Sequence, residues 1–214
     1  MSRRPEPVAS RFSVPRTVVW LVRHAESVWN RAGLIQGQAP APGLSQSGAA
    51  HARALADVLA GSGAAVVLSS DLRRAVETAR PIAVRLAVTV AIDQRLRERN
   101  LGQLEGMPAS VLGPALFGDV AGPLDVDARP PGGETLRELY ARVKGWLEAV
   151  RAAPPAPVFV AVTHDGVLRA VRACLAGLPP EAMAAPAIPN GVAWRVELGS
   201  GPRGARAGPT GETQ

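Results

Sequence analysis

Three short runs of apolar, mostly β-branched residues, at 17–22, 65–69 and 158–163, constrain this chain more than any other feature. Each is strand-sized, apolar throughout rather than alternating, and bounded by polar or turn residues, the pattern of a strand buried on both faces. Each is followed by a helical pattern. Ser45 stands at an N-cap position ahead of Ala49, Ala52, Leu55, Ala56 and Leu59 at helical spacing, and Asp71 stands similarly ahead of Leu72, Ala75, Val76 and Ala79. Residues 135–150 give the clearest amphipathic helix, with Leu136, Leu139, Tyr140, Val143, Leu147 and Val150 on one face and Pro154 and Pro155 at its stop. The pattern resumes over 166–176. Strands alternating with helices predict an α/β protein, a three-layer α/β/α sandwich around a mostly parallel sheet.

A sheet of that kind collects its ligand beyond the carboxyl ends of its strands. His24 follows the first run and His164 the third, while the second leads into Arg73 and Arg74 in a first helical turn. Taken singly, a histidine there is a cap or a packing residue, and an arginine there faces solvent. Together, two histidines, Arg23, Arg74 and the open N–H groups of a helix start suit a dianionic oxyanion, most simply a phosphate group. His51, inside a predicted helix, reads as a surface residue.

Composition narrows the partners. The net charge of +6 comes almost wholly from arginine, since Lys144 is the only lysine. Residues 1–16 carry four arginines against one glutamate and 199–214 carry two against one, so only +2 remains for the middle. A nucleic-acid binder should carry a basic stripe within its folded part, and none is seen. No run approaches the roughly 20 apolar residues of a membrane span, and Ser2-Arg3-Arg4 is not followed by the apolar stretch of a twin-arginine signal. The single cysteine, Cys174, excludes an intrachain disulfide and fits a reducing cytoplasm. The expectation is a cytoplasmic domain over 17–198 between two flexible tails, 1–16 and 199–214, with no nucleic acid and no membrane as partner and a homodimer left open.

Five stretches in order carry a resemblance. Leu21-Val22-Arg23-His24-Ala25-Glu26-Ser27 resembles the Arg-His-Gly-Glu signature of the histidine phosphatase superfamily, the group that includes cofactor-dependent phosphoglycerate mutases. Ser69-Ser70-Asp71-Leu72-Arg73-Arg74-Ala75-Val76-Glu77-Thr78-Ala79 is similar to its second-arginine helix, and Leu96-Arg97-Glu98-Arg99-Asn100-Leu101-Gly102 with Glu105-Gly106 to its acid loop. Pro131-Gly132-Gly133-Glu134-Thr135 resembles its Gly-Glu-Ser turn, and Val162-Thr163-His164-Asp165-Gly166 its second-histidine segment. The resemblance implies the phosphoglycerate mutase-like sandwich and the following roles. His24 is the nucleophile, which forms a phosphohistidine and must be neutral, its other ring nitrogen fixed by a hydrogen bond. Arg23, Arg74 and His164 hold the phosphoryl oxygens, with Ser27, Asn30, Gln36, Gly37, Asp165 and Gly166 as further substrate or phosphate contacts. Glu98 is the general acid, a role that needs a raised pKa. Glu105 is a weaker acid candidate and Glu26 a structural partner of an arginine.

Departures from the family pattern bear on the reaction. Ala25 and Asp165 each stand where a glycine is common, and the loop Gln36-Gly37-Gln38-Ala39-Pro40-Ala41-Pro42-Gly43 is rich in proline. Asp165 puts a carboxylate at the rim, where it would repel some anionic substrates or bind a hydroxyl or amine of others. The 36 positions from Glu98 to Glu134 are too few for the mutase insertion. The expectation is therefore a metal-independent, cofactor-free phosphomonoesterase of the histidine acid phosphatase type, acting on a small phosphorylated metabolite. Residues 108–129, with Val111, Leu112, Leu116 and Phe117, are its expected lid. A mutase-type phosphotransferase, a non-catalytic phospho-ligand-binding relative and a metal hydrolase using His24 and Glu26 are the alternatives, the last opposed by the arginines.

Overall fold

The computed structural model describes residues 16–111, 124–184, 186–199 and 205–207, the last as backbone. The three apolar runs are strands β1 (Thr17–Arg23), β2 (Val67–Ser69) and β4 (Val158–Thr163), joined in one sheet by β3 (Val90–Ile92), β5 (Ala193–Leu198) and β6 (Ala205–Ala207) in the order β3-β2-β4-β1-β5-β6. The first four strands run parallel, and β5 and then β6 are added antiparallel. Strand β6 falls within the stretch expected to be a flexible tail after 198, so part of that stretch pairs with the sheet edge.

Helices cover both faces, which is why the central strands are apolar throughout. Phe159 and Ala161 of β4, with Val19 and Leu21 of β1, pack against α4 (Leu136–Ala152) and α5 (Asp165–Leu175). Val160 and Val162, with Val22, turn the other way onto α2 (Gln46–Val58) and α3 (Arg73–Leu86). Alternate residues of one strand thus feed two cores, and the sandwich has three layers. Full burial of a side chain such as Phe159 contributes about 1.5–3 kcal/mol.

Of the two caps read from the sequence, Ser45 holds and Asp71 does not, and a third helix has a cap that was not read. Ser45 caps α2 by accepting from the Gly48 N–H, and Thr135 forms a capping box with Glu138 at the start of α4. Asp71 does not cap α3. The N-cap is Leu72, without a side-chain bond, because the Asp71 carboxylate is committed to Arg97 across a gap of 26 residues. No helix among the described residues is long and apolar enough to cross a membrane. Of the expected lid, 112–123 lie outside the described residues; Ala109–Val111 form a 3₁₀ turn, with Val111 exposed.

Candidate active site

Beyond the carboxyl ends of β1 and β4 lies a cavity of about 250 Å³. His24 stands one residue past β1 and Arg74 at the second position of α3, both in its wall with Arg23, the last residue of β1. His164, the residue after β4, is fully buried behind that wall, its ring centroid 5.0 Å from that of His24. The strand ends therefore converge as the apolar runs and their flanking residues predict.

The bonds of His24 fix its chemistry. Its Nδ1 lies 2.8 Å from the Ala25 carbonyl, which can only accept, so Nδ1 carries the proton and the Nε2 lone pair is left for an electrophile. Burial first, then the charges of Arg74 and Arg23, hold its pKa well below the ordinary histidine value, keeping the ring neutral. Its backbone is pinned as well: Ala25 N–H donates to Thr78 Oγ1, and Asn190 Nδ2 donates to the His24 carbonyl.

Three buried nitrogens, Arg23 Nε, Arg74 Nε and His164 Nδ1, have no hydrogen-bond partner among the described residues. Ser70 Oγ lies 2.7 Å from His164 Nε2, and in the tautomer in which that hydroxyl donates, the Nδ1 of His164 carries a proton for a further acceptor. Buried donors of this kind are costly unless something completes them, and an oxyanion in the cavity that Arg23 and Arg74 line suits the two guanidinium nitrogens. Arg74 is oriented by the carbonyls of Gly37 and Ala39, at 2.7 and 3.3 Å. Burial lowers its pKa to about 10, so it remains a cation at neutral pH. Arg23 donates to the Ile188 carbonyl and lies 3.9 Å from Asp165 Oδ1.

Glu98 closes the other end. Its carboxylate accepts from its neighbour Arg99 N–H at 2.7 Å and from Gly166 N–H, at the start of α5, at 3.1 Å. A Cβ at residue 166 would stand 2.3 Å from Glu98 Oε1, so glycine is required for that approach. Burial, reinforced by Asp165, raises the Glu98 pKa against the opposing pull of the two amides and Arg74. The Gly-Glu turn ahead of α4 supports this loop. Arg142, paired with Glu134 at 2.8 Å, donates to the carbonyls of Arg95, Arg97 and Glu98.

Not every expected contact reaches the cavity. Asn30, Gln36, Gly37, Asp165 and Gly166 line it, but Ser27 does not. Ser27 is buried as the N-cap of α1 (Val28–Arg31), its hydroxyl within reach of Gln36 Oε1 and Asn30 Oδ1, so it positions those two side chains. Gly37 serves through its carbonyl on Arg74. Glu26 is held by Ser45 and Ser47 hydroxyls rather than by an arginine. Glu105 accepts the amides of Gln38 and Leu101, a structural post. His51 is exposed and packs on Gly191.

Several lining residues were not foreseen: Arg99, Arg169, Leu34, Leu139 and Met183. Arg99 and Arg169 are buried and donate to backbone carbonyls, of Glu134 and Met183 respectively, at 2.7 Å each. An arginine four positions past Asp165, at helix spacing, is the only hint the sequence offers for Arg169. For Asn190 the hint is a Pro-Asn-Gly turn.

Comparison with known proteins agrees with this geometry. Residues 19–205 match the family model described as "Histidine phosphatase superfamily (branch 1)". A Yersinia pestis protein described as "Probable phosphoglycerate mutase GpmB" is 35% identical over 171 residues, covering 77% of each chain. A mycobacterial glucosyl-3-phosphoglycerate phosphatase superposes with a TM-score of 0.72 at 28% identity, covering 85% of this chain and 90% of its own. The α-ribazole phosphatase of Shigella flexneri does so at 0.76 and 26%, covering 89% and 94%.

Proposed function

Because the chain belongs to the histidine phosphatase superfamily, we propose that it hydrolyses the phosphomonoester of a small metabolite through a phosphohistidine on His24. The superfamily acts on phosphate esters, and the observation that carries phosphoryl transfer through His24 is the neutral ring, Nδ1 committed to the Ala25 carbonyl, in a wall shared with Arg23 and Arg74. The ester dianion lies between the two guanidiniums with His164 behind, where fixed positive charge offsets the charge of the transferring group. His24 Nε2 attacks phosphorus in line, the P–O bond to the leaving alcohol breaks, and Glu98 gives that oxygen its proton. Water then attacks the phosphohistidine, Glu98 takes back a proton, and inorganic phosphate leaves. No metal ion enters this scheme, and the arginines that bind the dianion oppose a cation.

Hydrolysis is favoured over mutase chemistry by the short stretch between Glu98 and Glu134 and by the phosphatase relatives among the solved structures. A mutase must shield its phosphohistidine from water, and a short cap shields less. The Yersinia relative favours a second reading, transfer between positions of a phosphoglycerate. Cysteine usage supports a reducing, cytoplasmic setting. The purified protein in chelator should release phosphate from p-nitrophenyl phosphate and from members of a phosphometabolite panel. Release no greater than that of His24→Ala refutes the hydrolase, and conversion of 3-phosphoglycerate to 2-phosphoglycerate with added bisphosphate establishes the second reading.

A further inference from the structure

Glu98 presents a difficulty that the proposed reaction makes acute. Its two oxygens accept backbone N–H groups, one of them at the N-terminus of the 11-residue helix α5, and Arg74 is near. All three influences favour the ionised carboxylate, whereas an acid must arrive with its proton. Burial opposes them first, and the residue that starts α5 adds an opposing charge.

Asp165 is held at several points. Oδ1 accepts the Ile188 N–H at 2.7 Å and lies 3.9 Å from Arg23 Nη1, and Oδ2 lies 3.5 Å from Arg169 Nη1. Arg169 in turn donates to the Met183 carbonyl, and Arg23 to that of Ile188. The carboxylate is thus fixed between β1, α5 and the backbone of Met183 and Ile188, adjoining the Gly166 amide that binds Glu98. We propose that Asp165 is a positioning residue that acts through Glu98: a pinned negative charge beside the acid, which keeps the proton on Glu98 until the leaving oxygen takes it. The other charged groups facing Glu98 are Arg74 from α3, Arg99 from its own loop, and Arg142 with Glu134 at the start of α4, while His24 and His164 are neutral. Asp165 is the acidic group of this set that opposes ionisation of Glu98 most strongly.

The inference rests on the proposed phosphohydrolase and is tested within it. Phenyl phosphate and p-nitrophenyl phosphate have similar shapes, but phenolate is the poorer leaving group and depends more on the acid. Asp165→Asn keeps an oxygen for the Ile188 amide and removes the charge; Asp165→Ser does the same with a smaller side chain should the first fail to fold. Turnover of phenyl phosphate should fall about tenfold and that of p-nitrophenyl phosphate less than about threefold. The alkaline limb of the pH profile, where the acid loses its proton, should move about half a unit or more toward lower pH. Equal losses on the two esters, or an unmoved limb, overturn the inference while leaving the hydrolase intact. A wild-type protein inactive on both esters removes the hydrolase reading and this inference with it.

Discussion

At the proposed phosphate end of the cavity, His24, Arg23, Arg74 and His164 stand at the ends of β1 and β4 and in the first turn of α3. At the leaving-group end, Glu98 rides on a loop tied down from elsewhere, by Arg142 and Glu134 of the α4 region, by the Gly166 amide and by Thr163, whose hydroxyl donates to the Leu96 carbonyl. The first end is positioned by strand ends and a helix start, and three of its buried nitrogens have no partner among the described residues. The second is positioned by side chains clamping backbone, and its carboxylate is balanced between opposing influences. Perturbing the first should abolish the chemistry, whereas perturbing the second should grade it by leaving group.

The largest expected effect is at the first end. Arg74→Ala removes a buried guanidinium from the transferring group and should lower kcat/KM by about 10³-fold or more for every ester. A loss that depended on the leaving group would break the distinction between the two ends. Glu98→Gln should cost about 10²–10³-fold on phenyl phosphate and far less on p-nitrophenyl phosphate, measured by steady-state kinetics. Gly166→Ala forces a Cβ against Glu98 Oε1 and should give the same leaving-group dependence at about tenfold or more, even though residue 166 offers no side chain to the substrate.

The first end also predicts a pH dependence of stability. His24 and His164 have native pKa values well below the ordinary 6.5, so below that value the unfolded chain takes up protons that the native state does not. Stability present above pH about 6.5 is therefore lost as pH falls, by up to about 1.4 kcal/mol per pH unit for each histidine. Denaturant titration between pH 7 and 5 should show a shallower loss for His24→Ala. Smallest of all, Thr135→Ala should cost about 1 kcal/mol of stability through the α4 cap and leave turnover unchanged. A change in turnover would show that the acid loop depends on that cap.

The same contrast explains what could be read from the sequence. β1, β2 and β4 are legible because burial on both faces demands unbroken apolar runs, and the residues that follow them fall at the site by topology alone. β5 escapes because Arg195 and Glu197 alternate with Val196 and Leu198, and β3 because it is three residues long and partly exposed. Glu98 carries no periodic signal and was reached through family resemblance. A serine hydroxyl such as that of Ser27 suits a phosphate and an N-cap equally in sequence, and only the fold shows that it caps α1. Arg99, Arg142 and Asn190 bind backbone carbonyls of residues 29 or more positions away, contacts that leave no local pattern.

The central claim, that His24 carries the phosphoryl group, is tested most directly by quenching the protein in alkali during turnover of a radiolabelled phosphomonoester and mapping the label. Acid-labile, base-stable phosphate on the peptide containing His24, absent from His24→Ala, is the predicted result. Failure of any label to accumulate with a turned-over substrate, or label found equally in His24→Ala, would contradict the account.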